Sequence, residues 1–210
     1  MEAIIGTCIK KVVMFHDVLH RFLVGRGTGT AVMELNLVQD LVIVDQDPLF
    51  LVFLDLRKAY DKLDRGRLLK TQERYRVGPK IRIVLLELWA GQEVVTQKNG
   101  CHDTQFRATR RTTQGGLILP TLFNVLIYNV VRHWLSMTVE YDTVIHNGLG
   151  RDLGQSVGVF YLIDVIIGLQ DPEWQQGAFD ILIGLFFWIV LMASAPKSKT
   201  MMCQPGKIRS

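Results

Sequence analysis

Two acidic residues in this 210-residue chain lie inside apolar runs of the kind that form buried β-strands. Asp55 is the one polar residue between Leu49 and Leu56, and Asp164 is the one charged residue in Val157–Leu169. Runs rich in Leu, Val, Ile and Phe favour strands that are buried on both faces. An ionised carboxylate is costly to bury unless it is paired or binds a metal. Asp55 therefore either caps its strand or is placed there for chemistry, and both interpretations stay open at this point.

Cationic side chains cluster just before a pair of glycines. Arg107, Arg110 and Arg111 precede Gly115-Gly116, and an apolar stretch follows from Pro120. A glycine-rich entry lets the backbone approach a ligand closely. The arginine cluster is either a solvated face or a set of phosphate contacts, and its composition favours neither strongly.

The overall composition narrows the class of protein only slightly. A formal charge of +4 and a pI of about 9.0 favour an acidic partner such as nucleic acid, but mildly. The widely spaced Cys8, Cys101 and Cys203 argue for a reducing compartment and against a disulfide framework or a cysteine zinc site. His16 and His20 have helical spacing without an acidic ligand motif nearby, which predicts ordinary surface residues. The N-terminus lacks the regions of a signal peptide, so we expect an intracellular protein, nuclear or cytoplasmic, that is not secreted.

The segment Ile181–Ala195 is uncharged and strongly apolar. It is shorter than the ~20 residues that span a bilayer. It therefore predicts a buried core helix that runs into a strand, with membrane insertion as the alternative. No stable membrane association is expected.

Periodicity, capping residues and turn residues predict a mixture of helices and short strands. Gly25–Thr30 is a flexible turn and not a phosphate loop, because no Gly-Lys-Ser/Thr follows it. Asp64 is a plausible helix N-cap, and Pro196–Ser210 is expected to fray. The predicted helices are Ala31–Val44, the segment from Asp64 to Tyr75, Lys80–Trp89, Pro120–Trp134 and Glu173–Ile189; the predicted strands are Leu49–Leu56, a hairpin around Asn99-Gly100 and a hairpin in Val157–Leu169.

The order of the motifs is more telling than any one of them. FLDLRKAYD at 53–61 is followed by TTQGG at 112–116, PTLFN at 120–124, FYLID at 160–164 and KSKTMM at 197–202. Together with RFLVGRGTGTA at 21–31, this order resembles reverse transcriptases, specifically those of non-LTR retroelements and group II introns. The resemblance implies an α+β polymerase palm, a small antiparallel sheet backed by helices, with partial fingers and no thumb. It places fingers at 1–47 and 62–112, palm at 48–61 and 113–200, and a basic tail at 201–210.

The same resemblance assigns roles to individual residues. The family transfers nucleotides with two divalent ions that carboxylates and phosphate bridge, and hard oxygen ligands suit Mg²⁺ or Mn²⁺. The implied partners are an RNA template, a DNA primer or RNA–DNA hybrid, and a dNTP. The implied metal ligands and catalytic residues are Asp55 and Asp164, with Lys197 as proton donor to pyrophosphate; the implied nucleotide contacts are Tyr60, Gln114, Gly115 and Arg26; the implied nucleic-acid contacts are Arg107, Arg110, Arg111 and Lys199.

Departures from the family pattern predict an impaired enzyme. The family's hairpin reads Tyr-Ala-Asp-Asp, whereas here Tyr161 and Leu162 are followed by Ile163 and Asp164. Ile163 thus stands in place of the first, essential carboxylate. Since neighbouring strand residues point to opposite faces, Asp164 is expected to point away from Asp55 unless the hairpin slips by one residue.

Four interpretations follow from these departures. The first is a reverse-transcriptase fragment that is inactive or severely impaired, and the second is a non-catalytic nucleic-acid-binding module derived from a retroelement. The others are a structural or membrane-associated relic and a nonfunctional remnant that folds poorly.

Overall fold

The computed structural model describes residues 1–16, 18–45, 48–57, 59–60, 62–90, 93–98, 101–107, 116, 118–138, 157–161 and 163–204. These residues form two compact units. The first, here the helical unit, comprises 1–14 and 60–126, and the second, here the sheet unit, comprises 15–59 and 127–210. Fingers and palm boundaries stay predictions, and residues 15–47 share the unit of the sheet.

Helices and strands are interspersed along the described part of the chain. The helices are α1 (Glu2–Val12), α2 (Thr28–Asp45), α3 (Arg65–Arg74), α4 (Pro79–Ala90), α5 (Leu119–Met137) and α6 (Pro172–Trp188). The strands are β1 (Leu49–Asp55), β2 (Glu93–Lys98), β3 (Cys101–Arg107), β4 (Val157–Tyr161), β5 (Asp164–Leu169) and β6 (Lys199–Cys203).

The helical unit contains α1, α3, α4, the β2–β3 hairpin and the start of α5. Asp64 caps α3 as predicted, since its side chain accepts a hydrogen bond from the backbone N–H of Arg67 at 2.8 Å. β2 and β3 pair in antiparallel fashion, so the hairpin strands predicted around Asn99-Gly100 are present, while that turn itself lies outside the described residues.

The sheet unit is built on β1, an interior strand of an antiparallel sheet with the order β4-β5-β1-β6. Its apolar run explains this position, because Leu49, Leu51, Val52 and Leu54 are all buried. One face packs against α2, where Val38 joins the cluster of Leu49 and Leu51. The other side receives α6, whose Gln175 side chain donates to the backbone oxygen of Ile167.

The predicted fraying of the C-terminal segment is wrong for Lys199–Cys203. These residues form β6 and pair with β1 from Leu49↔Cys203 to Phe53↔Lys199. The side chains of β6 are largely exposed, which is why the segment looks like a solvated tail in the sequence. Its backbone nevertheless supplies hydrogen bonds that the buried β1 needs on its second edge.

The apolar segment Ile181–Ala195 is only partly a core helix. α6 ends at Trp188, and the helix buries Leu182 and Phe186 while Phe187 and Trp188 are 74% and 60% exposed. Within the described parts of the chain, no helix combines the length and apolar character that crossing a membrane would require.

Two glycines of the sheet unit provide a test of its packing. A Cβ at Gly158 on β4 would lie 3.1 Å from Trp134 and 3.3 Å from Phe160, both buried, and Trp134 is also fixed by a hydrogen bond from Nε1 to the backbone oxygen of Ala178. We expect Gly158→Ala to lower the free energy of unfolding by about 1–3 kcal/mol because the core is overpacked.

The matched control is Gly184→Ala on α6, where a Cβ would have open space. That change should raise the free energy of unfolding by about 0.5–1 kcal/mol, because alanine is the better helix former. Urea denaturation of both variants measures the difference. A Gly158→Ala protein at least as stable as the wild type would contradict the described packing.

Candidate active site

The end of β1 holds Asp55 by backbone bonds from both sides. The backbone oxygen of Asp55 accepts from the N–H of Ser194 at 2.7 Å, and the N–H of Leu56 donates to the backbone oxygen of Ile163 at 2.8 Å. The next N–H, that of Arg57, donates to the backbone oxygen of Met192. The β4–β5 turn and the segment after α6 therefore fix the position of Asp55 at the end of β1. Its side chain is 20% exposed.

Asp164 lies directly opposite Asp55. The β1–β5 register ends on the pair Asp55↔Asp164, and the β4–β5 register pairs Asp164 with Tyr161. Directly opposed residues of antiparallel strands share one face of the sheet. Tyr161, Asp164 and Asp55 thus form a row across three strands, on the face that α2 covers further along.

This register corrects the expectation that Asp164 points away from Asp55. Ile163 is a turn residue and β5 begins at Asp164, so the alternation of strand side chains does not carry over from one to the other. The hairpin needs no slip to bring the second acidic position of the motif opposite Asp55.

The carboxyl groups of Asp55 and Asp164 are close enough for their charges to interact. Burial and then the charge of Asp55 raise the pKa of Asp164 above its ordinary value, whereas the charges of Arg21 and Lys197 act in the opposite direction. The net shift is upward, so ionising Asp164 costs the folded state free energy.

Lys197 lies beside this carboxylate pair, next to Asp55. Its Nζ lies 3.5 Å from Oδ2 of Asp55, and its side chain is 70% exposed. The turn that precedes β6 positions the lysine, because the N–H groups of Lys197 and Ser198 both donate to the backbone oxygen of Ser194. The structure therefore brings together all three residues predicted to be catalytic.

Sequence reasoning missed two residues beside this row. Arg21 places its guanidinium 5.1 Å from the ring centroid of Tyr161, and the hydroxyl of Thr28 lies 2.8 Å from that of Tyr161. Both belong to the RFLVGRGTGTA motif, in which the family resemblance assigns a role only to Arg26. Their proximity depends on where the start of α2 packs, and no local pattern reveals that.

His20 is not the surface residue that its spacing predicted. It is 2% exposed, its Nε2 lies 2.8 Å from Oε2 of Glu34, and its Nδ1 lies 3.1 Å from Oγ1 of Thr30. That hydroxyl in turn donates to the backbone oxygen of Gly27. His20 thus fixes the glycine-rich turn to the start of α2, whereas His16 is exposed as expected.

The remaining predicted site residues fall into three groups. Lys199 is exposed at the start of β6, and Arg26 lies in the turn before α2, both in the sheet unit. Tyr60 and Arg107 belong to the helical unit, where the Tyr60 ring packs on Phe123 at a centroid distance of 5.1 Å and Arg107 ends β3 opposite Glu93. The other four predicted residues lie outside the described part of the chain: Arg110, Arg111, Gln114 and Gly115.

The donor set limits what the site can hold. Across the described ranges, no group of three or more His, Cys, Asp or Glu side chains is arranged to bind a metal ion. Two carboxylates on one face are still hard ligands of the type that bind Mg²⁺ together with substrate phosphates. The chemistry of this pair therefore fits a divalent cation.

A family model described as "Reverse transcriptase (RNA-dependent DNA polymerase)" matches residues 1–208. A search of curated proteins found no match.

Solved telomerase structures share the fold. Apo telomerase from Candida tropicalis, truncated from the C-terminal domain, is 14% identical with a TM-score of 0.66, over 98% of this chain and 40% of that one. For telomerase in complex with a TWJ fragment of telomeric RNA, the TM-score is 0.69 at 12% identity for the Candida tropicalis protein and 0.65 at 13% identity for the Candida albicans protein. This chain is covered fully in both and spans 33% and 34% of those chains. The predicted α+β palm-type fold is confirmed.

The described charge geometry predicts opposite effects of two substitutions on Asp164. Asp55→Asn should lower the pKa of Asp164 because a neighbouring negative charge is lost, and Lys197→Gln should raise it because a positive charge is lost. Carbon-13 NMR titration of the Asp164 carboxyl measures both.

The upward shift of the Asp164 pKa also determines how this residue's contribution to the free energy of unfolding changes with pH. The folded-state pKa of Asp164 lies above the unfolded value of ~3.9, so the cost of ionisation is absent below that pH and fully present above the folded pKa. A pKa of Asp164 that does not respond to Asp55→Asn would contradict the described pairing.

Proposed function

Because the chain belongs to the reverse transcriptase (RNA-dependent DNA polymerase) family, we propose that its Asp55–Asp164 site derives from template-directed nucleotidyl transfer and is catalytically inactive or severely impaired. The observation that carries this proposal is the register itself. Asp164 faces Asp55 from the start of β5, while the turn position before it holds an isoleucine.

The chain's own residues would each contribute one task at such a site. Asp55 and Asp164 would hold a divalent cation, Mg²⁺ or Mn²⁺, which when bound stabilises charge on the transferring phosphoryl group. Lys197, which lies beside Asp55, would protonate the leaving pyrophosphate. By their motif positions, Tyr60 would exclude a 2′-hydroxyl, and Gln114 with Gly115 would contact the incoming dNTP.

Loss of a carboxylate at position 163 accounts for the proposed impairment. A family site with three acidic residues can neutralise two divalent cations together with the substrate phosphates, whereas two carboxylates alone match the charge of one. The attacking and leaving oxygens would then lack one of the two ions that stabilise them, at a cost of several kcal/mol in the barrier.

The proposed substrates follow from the family and from the motif type. The template would be RNA, the primer DNA, and the reactant a dNTP. The spacing of FLDLRKAYD, TTQGG and PTLFN supports an origin among the enzymes of non-LTR retroelements and group II introns. The telomerase likeness supports the fold and does not choose among these origins.

Primer extension on an RNA template with Mg²⁺ or Mn²⁺ tests the impairment. The wild type should incorporate little or no dNTP, and Ile163→Asp should raise incorporation by about a hundredfold or more, because several kcal/mol of barrier are recovered. Asp55→Ala in the Ile163→Asp background is the control and should abolish that gain. Robust synthesis by the wild type that Asp55→Ala abolishes would refute the impairment.

A second candidate function is non-catalytic binding of nucleic acid. The observation that favours it is the exposure of Lys197 and Lys199 beside the carboxylate row and at the start of β6. These cations can meet phosphates without any chemistry at Asp55.

An RNA–DNA hybrid should bind with an affinity that falls linearly on a log–log plot against salt concentration. Lys199→Gln should weaken binding and reduce the magnitude of that slope by about 1, because one phosphate contact is lost. The matched control is Lys80→Gln on α4, which removes an exposed charge outside the predicted contacts. Absence of binding at low salt would end this second candidate.

A further inference from the structure

The face of the sheet that carries Asp55 and Asp164 also carries compensating positive charge. Lys197 lies 3.5 Å from Asp55, and Arg21 lies over the ring of Tyr161, which is the cross-strand partner of Asp164. The two carboxylates and two cations sum to zero. A site of this composition has no surplus negative charge with which to attract a divalent cation from solution.

We infer that Lys197 is the resident counter-ion of Asp55, and that a divalent cation must displace Lys197 from Asp55 in order to bind. This inference rests on the proposed function for the identity of the site, and it adds a competitor that the family's metal chemistry does not require. Lys197 thus forms an ion pair with the Asp55 carboxylate, which would otherwise be free to bind the divalent cation.

The two cations differ in how easily they can leave. Lys197 is 70% exposed and is held by a flexible four-carbon side chain, so it can move into solvent when a divalent cation arrives. Arg21 lies over two aromatic rings, 4.9 Å from the centroid of Phe22 and 5.1 Å from that of Tyr161. Stacked on two rings, Arg21 is expected to stay near Asp164. Displacement therefore acts at Asp55.

The expected size of the competition is modest. An exposed ion pair of this kind changes an equilibrium about two- to fivefold. Removing Lys197 should strengthen cation binding by that factor, while removing an equal charge elsewhere should leave binding unchanged.

Titration with Mn²⁺, followed by the electron paramagnetic resonance of the free ion at low ionic strength and neutral pH, tests this inference on the full chain. Lys197→Gln should bind Mn²⁺ about two- to fivefold more tightly than the wild type. Lys80→Gln has the same net charge as Lys197→Gln and should match the wild type. Adding Asp55→Asn to Lys197→Gln should remove the gain.

Equal or weaker Mn²⁺ binding by Lys197→Gln would overturn the inference, as would absence of Mn²⁺ binding in every variant. An equal gain in Lys80→Gln would also overturn it, because the effect would then come from net charge alone. These outcomes are separate from those that test the proposed function, which are read from dNTP incorporation and hybrid binding.

Discussion

The pairing of β1 with β5 is the constraint on which the candidate site depends. Its register ends with Asp55 opposite Asp164, and the hydrogen bond between Leu56 and Ile163 continues the pairing into the turn. A shift of one residue would reverse the face of every β5 side chain and exchange buried Val165 with exposed Asp164. The hydrophobic core therefore fixes the relative position of the two carboxylates.

Most of the fold could be predicted from local patterns. Asp64 caps α3 where the sequence places it, and the apolar run at Leu49 forms the central strand. The exposed strand Lys199–Cys203 could not be predicted, because backbone pairing holds it and its side chains carry no apolar signal. His20 was missed for a similar reason, since its partner Glu34 is fourteen residues away and becomes a neighbour only when α2 packs.

The structure brings together three residues that the motifs select, whose catalytic roles stay predictions, and it corrects the expected orientation of Asp164. The meeting of Asp55, Asp164 and Lys197 agrees with their family positions. Motif spacing alone cannot show that Ile163 lies in the turn. The prediction that Asp164 points away from Asp55 was therefore wrong. Arg21 and Thr28 reach Tyr161 through tertiary packing, which no one-dimensional pattern encodes. The resulting site is a carboxylate pair with cationic side chains beside it.

Anomalous diffraction from crystals soaked in a high concentration of Mn²⁺ measures most directly how many cations the Asp55–Asp164 site binds. We expect a single manganese peak, within bonding distance of both Asp55 and Asp164, with the Lys197 side chain moved away from Asp55. Two peaks at the site, or one manganese held by Asp55 with Asp164 turned away, would contradict it.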